Sequence, residues 1–169
     1  RWDIAATEER PGTDPDWTVG LQMDFDSEAA IEYITDVVRF RGTPNTVDQR
    51  ILTTAHRDGP DVLIRIEQEP GSSGKIAIEH FRKLLHGFNV EGVPSSGDKV
   101  VRALPVVSAA EHGNVKLKRG PWNEEFLREL EMFTGDKGGH DDQVDTLSGA
   151  HRDVNFMKLP GKAFIVNVV

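Results

Sequence analysis

The residues best suited to chemistry in this chain are acidic. The run Gly138-Gly139-His140-Asp141-Asp142-Gln143-Val144-Asp145 opens a helix predicted over residues 141–156. At about 100° per residue Asp142 and Asp145 share a face, and so do Asp141 and Asp145, which gathers negative charge at one point. Aspartates at a helix start also cap free backbone N–H groups and complement the dipole, so the run has an ordinary structural reading as well. Two further acids shift the balance. Asp3 and Glu67 each stand inside an otherwise apolar run predicted as a strand, at residues 1–5 and 61–68. A carboxylate in a buried strand needs a cation to neutralise it.

The elements that must hold these acids follow from patterning. Residues 1–5 form a short strand, followed by a polar loop rich in Pro, Gly and charge. Residues 17–25 alternate, with Val19, Leu21, Met23 and Phe25 on one face, and 31–41 carry the β-branched and aromatic residues of a third strand after a turn at Asp26-Ser27. This predicts an antiparallel meander. The rhythm then changes. A helix runs from Thr43-Pro44-Asn45 to about Arg57, with Val47, Ile51, Leu52 and Ala55 on one side, and Asp58-Gly59-Pro60 stops it. The strand at 61–68 has the apolar run of an interior parallel strand. After a small-residue turn at 71–74 comes a helix over 75–86 that buries Ile76, Phe81, Leu84 and Leu85, then a fifth strand at 89–93. A helix at 99–111, a short strand at 115–118 and an amphipathic helix at 123–133, with Phe126, Leu127, Leu130 and Phe133 inward, lead to the acidic helix. The pattern predicts an α/β fold with a mixed sheet flanked by helices. The segment 158–169, with Pro160-Gly161 and an apolar end, is either an edge strand or a piece that packs against something else.

Composition sets limits. The 169 residues, 37% of them hydrophobic, can bury a real core, and one domain spanning 1–169 is the natural count. Zero cysteines exclude disulfides, thiol catalysis and a cysteine-based zinc site. No signal peptide or long apolar run is present, so a soluble chain not itself targeted to a membrane is expected. A net charge of −8 is unusual for a nucleic-acid binder, but clustering of Lys and Arg matters more, and metal-holding carboxylates inflate an acidic excess. The chain starts without Met and with a strand at its first residue, as expected of a fragment of a longer protein.

Several of these pieces, in this order and spacing, carry a resemblance. They are Arg1-Trp2-Asp3-Ile4-Ala5-Ala6-Thr7, Asp16-Trp17-Thr18-Val19-Gly20, Ile64-Arg65-Ile66-Glu67-Gln68-Glu69-Pro70-Gly71-Ser72-Ser73-Gly74, Gly97-Asp98-Lys99-Val100-Val101-Arg102-Ala103, Gly113-Asn114-Val115 with Lys118-Arg119-Gly120-Pro121-Trp122-Asn123, and His140-Asp141-Asp142-Gln143-Val144-Asp145. Together they resemble the C-terminal nuclease domain of the large terminase subunit of tailed bacteriophages, a branch of the ribonuclease H and retroviral integrase superfamily, up to about Arg152. The resemblance implies a ribonuclease H-like mixed five-stranded sheet, meander first and parallel strands after. It implies a metal-dependent endonuclease that cuts concatemeric double-stranded viral DNA during packaging, in the cytoplasm of an infected bacterium. It also implies an ATPase motor domain absent from this chain, with a small terminase subunit and a portal ring as partners and no membrane.

In such a fold the first strand is central with the fourth beside it, so Asp3 and Glu67 project from neighbours and the last helix brings Asp141 and Asp142 to them. Carboxylates so close repel unless cations hold them ionised. Two Mg²⁺ or Mn²⁺ ions about 4 Å apart answer this, one activating water and the other stabilising the leaving 3′ oxygen of an in-line displacement. The resemblance makes Asp3 and Glu67 ligands. Of the acids at the helix start, Asp142 is expected as the third catalytic carboxylate and metal ligand, with Asp141 auxiliary at the second metal. Glu69 shares the strand parity of Glu67, but Pro70 suggests the strand has ended. Asp16, His140 and Asp145 are further auxiliaries, each with a plain reading as turn, cap or solvent-facing residue.

Phosphate contacts are expected from Lys75, from Lys99 and Arg102 on one helical face, and from Lys116, Lys118 and Arg119. No base-reading motif is present, which predicts cutting with little sequence preference. Gly71-Ser72-Ser73-Gly74-Lys75-Ile76 imitates a phosphate-binding loop but has Glu69 where the first Gly is required and Ile76 after the Lys, so ATP binding is not expected. His80 and His86 do not share a helix face, so they make no zinc site. A module that docks DNA or the portal without cutting, and a superfamily relative acting on branched DNA or RNA–DNA hybrids, are the alternatives.

Overall fold

A computed structural model describes residues 1–94, 97–135 and 139–157. The strands are β1 (Trp2–Asp3), β2 (Thr18–Asp26), β3 (Ile31–Phe40), β4 (Ile64–Gln68), β5 (Val90–Pro94) and β6 (Val115–Leu117). The helices are α1 (Pro44–Asp58), α2 (Ser72–Leu84), α3 (Lys99–Glu111), α4 (Asn123–Met132) and α5 (Asp142–Met157). The strands form one mixed six-stranded sheet in the order β5-β4-β1-β2-β3-β6, with β1 internal and β4 beside it as the family resemblance implies. The resemblance implies five strands in the sheet; the short strand expected at 115–118 joins them as a sixth, at the edge, pairing in parallel with β3 through Glu32 and Val115, Tyr33 and Lys116, and Ile34 and Leu117.

The chain divides into two compact units, Arg1–Val19 with Arg39–Ser96 and Gly20–Val38 with Gly97–Val169. In the first, β4 pairs in parallel with β5 over its whole length and with β1 through Trp2 and Ile66. Helix α2 covers β4 and β5 and packs on α1. Thr43 caps α1, its hydroxyl accepting from the Thr46 N–H at 3.1 Å, and Pro44 opens the helix where its missing N–H costs nothing. Val47, Ile51 and Ala55 are then buried at the predicted spacing. Helix α2 departs from expectation: it begins at Ser72, so the small-residue turn is its own first turn. Phe81 and Leu85 face the core as expected, but Ile76 does not. Ile78, Phe81 and Leu85 are buried, whereas Ile76 is 70% exposed.

In the second unit, the turn between β2 and β3 is tied by Asp26, whose Oδ1 accepts from the backbone N–H groups of Glu28 and Ala29 at 2.9 and 3.0 Å. Helix α5 packs against α3 and α4. It is buried almost all round, from Asp142 to His151, although its sequence is largely polar. Local bonds reconcile the two: the Thr146 hydroxyl donates to the Asp142 carbonyl and the Ser148 hydroxyl to the Val144 carbonyl, both at 2.7 Å. On α4 the inward positions are Phe126 and Glu129, while Leu127 is exposed. The segment 158–169 and Gly138 lie outside the described residues.

Candidate active site

The first unit joins two of the predicted acids. Trp2 and Ile66 are register partners in parallel strands and are both buried, so one step along each strand sets Asp3 level with Glu67 on the opposite face. Both are partly buried. The Glu67 carboxylate accepts from the Arg1 guanidinium at 3.0 Å, and the Arg1 side chain is almost fully enclosed. Arg1 has the same strand parity as Asp3, so a cation shares the acidic face. Arg65, two residues before Glu67, donates to Glu91 at 3.0 Å on the adjoining strand β5, where the two are register partners. That cross-strand pair explains how a charge is accommodated inside the apolar run. Glu69 lies beyond the end of β4 and is exposed, as are Asp16 and Lys75. Next to Asp16, the Trp17 ring is stacked between the guanidinium groups of Arg39 and Arg41, each 3.9 Å from its centre.

The second unit joins the acids of the helical run. The Asp141 carbonyl accepts the Asp145 N–H at 2.9 Å, so Asp141 caps α5 through its backbone. Its carboxylate is gripped by the Lys99 ammonium, 2.7 Å from one oxygen and 2.6 Å from the other. Asp145 is bonded by the Arg102 guanidinium and lies 3.6 Å from Lys99. Burial acts to lower the pKa of Lys99, but the hydrogen bond and charge of Asp141 and the charge of Asp145 together carry it above its ordinary value. Lys99 and Arg102, expected at phosphates, therefore have carboxylate partners inside their own unit. Asp142 is buried, with His140 Nδ1 3.6 Å from its Oδ2. Lys116, Lys118 and Arg119 are exposed around the end of β6.

The start of α5 is held from α4. Glu129 accepts the Gln143 backbone N–H and the Gln143 side-chain amide, both at 2.6 Å, so a buried carboxylate satisfies a free amide of the first helical turn. Further along α5, His151 Nδ1 is 2.6 Å from the buried Glu32 carboxylate on β3, which Asn155 also approaches at 3.3 Å. The sequence reading singled out neither residue. The signal for Glu32 was the one used for Asp3 and Glu67, an acid on the inward parity of a strand; for Glu129 it was the spacing of three from Phe126.

The sheet order, with acids on two adjacent parallel strands and at the start of a final helix, defines a ribonuclease H-like α/β fold. Two solved structures are similar to the chain. One is the large terminase nuclease from thermophilic phage G20c with bound zinc, 21% identical, with 86% of this chain and 84% of that one covered and a TM-score of 0.56. The other is the nuclease domain of the large terminase g2p from bacteriophage SPP1 with bound manganese, 17% identical, covering 90% and 84% at a TM-score of 0.54. No curated protein matches. The model of the terminase RNase H-like domain family matches residues 1–153, and the chain belongs to that family.

Proposed function

We propose that this chain is a metal-dependent endonuclease domain that cuts concatemeric double-stranded DNA during viral genome packaging, with Asp3, Glu67 and Asp142 as ligands of two divalent ions. The observation that carries the reading is the level placement of Asp3 and Glu67 on adjacent parallel strands, in a chain of this family. The donors suit the ion. Carboxylates are hard oxygen ligands of the kind Mg²⁺ and Mn²⁺ prefer, and no thiol competes. Within the second unit, His140 and Asp142 are of the types that could share one ion. Manganese is bound by the SPP1 nuclease domain, which supports the same class of cofactor here.

Bound divalent ions would supply an activated water and stabilise the leaving 3′ oxygen of an in-line phosphodiester hydrolysis. The chain's own residues hold and orient. Arg1 bonds the Glu67 carboxylate and limits its rotation. Glu129 fixes the first turn of α5, and with it the direction of Asp142. Exposed Lys75 in one unit, and Lys118 and Arg119 in the other, are proposed to contact phosphates without reading bases. In the full protein an ATPase motor, a small terminase subunit and a portal ring would act as partners, in the cytoplasm of the infected cell.

A second reading, a docking module whose acids serve only the fold, draws on the ion pairs that already neutralise Asp141 and Asp145. Plasmid nicking in Mg²⁺ or Mn²⁺ separates the two. The nuclease reading expects cleavage by the wild type and at least about a 100-fold loss in Asp3→Ala. DNA binding without cleavage in either ion, or equal activity in both proteins, would reject it.

A further inference from the structure

The three aspartates at the start of α5 have different neighbours. Lys99, the first residue of α3, holds both oxygens of Asp141. One turn on, Arg102 bonds Asp145 and also the Gly97 carbonyl, the latter at 3.0 Å. Two acids thus meet two cations across one packed helix pair. Asp142 points about 100° away from Asp141 around the helix, and it is buried.

We infer that Lys99 and Arg102 are positioning residues that clamp Asp141 and Asp145 to α3, leaving Asp142 as the metal ligand among these three aspartates. The inference rests on the metal-site reading and deepens it by separating three neighbouring carboxylates. For Asp141 to reach an ion, bonds to both of its oxygens would have to break and an ammonium would be left beside a dication, whereas Arg1 bonds one oxygen of Glu67. Asp141 also supplies the first carbonyl of α5, so swinging it away disturbs the helix start that aims Asp142.

The test is Mn²⁺ titration calorimetry on the whole 169-residue chain, with a thermal melt of each variant. The clamp predicts that Asp141→Asn weakens Mn²⁺ binding about 3–10-fold, because the Lys99 charge is then offset only by its longer contact to Asp145, and that the K99Q/D141N double variant returns to within about twofold of wild type. Lys99→Arg, which keeps charge and donors, also stays within about twofold, whereas Asp142→Asn loses about 100-fold or more. Equal losses of about 100-fold in D141N and in the double variant would make Asp141 a ligand and overturn the inference. A fall in melting temperature with no change of affinity in D141N would reduce the clamp to scaffolding and overturn it too. The underlying reading fails with a different pattern: no Mn²⁺ uptake by the wild type, or none lost in D142N.

Discussion

Glu129 on α4 accepts both the backbone N–H and the side-chain amide of Gln143, at 2.6 Å each, at the first turn of α5. A buried carboxylate with two such donors cannot be removed cheaply. Glu129→Ala should cost about 2–4 kcal/mol by leaving both donors unpaired, and Glu129→Gln about half that, since one oxygen still accepts. Urea titration checks the stability. Because the same contact directs Asp142, Glu129→Gln should also weaken Mn²⁺ binding, which an effect on stability alone would not do.

The Glu32 and His151 pair makes a separate prediction within the second unit. Both residues are buried and 2.6 Å apart. Removing one partner takes a short buried bond from the other, so Glu32→Leu or His151→Leu should each lose about 3–5 kcal/mol, while the double replacement should lose distinctly less than the sum. Chemical denaturation of the four proteins measures the coupling.

Gly74 tests the joint between β4 and α2. In most helices Gly→Ala stabilises by about 1 kcal/mol. Here a Cβ would strike the Glu69 carbonyl, so Gly74→Ala should destabilise instead, by about 2 kcal/mol or more, as seen by thermal melting.

The clamp has a pH signature. Folding raises the pKa of Lys99 above its ordinary 10.5, so the stabilisation is complete below that value and is lost as pH climbs through the higher folded value. The difference in melting temperature between wild type and Lys99→Gln should be flat at neutral pH and shrink in the alkaline range above 10.5.

The sequence carried the order of elements well because the periods of two and about 3.6 are local properties. Asp3 and Glu67 were legible for the same reason: an acid in an apolar strand is a conflict visible without coordinates. What escaped depends on tertiary packing. Ile76 looks apolar enough to bury, but it lies about 140° around α2 from buried Phe81, whereas Ile78 lies within about 60° of it. The partners of Lys99 and Arg102 escaped because a cation on a helix looks the same whether it awaits a phosphate or holds an aspartate 42 or 43 residues away. The nearly complete burial of α5 was hidden by Thr146 and Ser148, whose hydroxyls are satisfied within the helix.

A crystal soaked in Mn²⁺ and measured at the manganese absorption edge tests the central claim most directly. The account predicts two anomalous peaks ligated by Asp3, Glu67 and Asp142, with Asp141 still bonded to Lys99. Manganese absent from these carboxylates, or bound only at scattered surface acids, would contradict it.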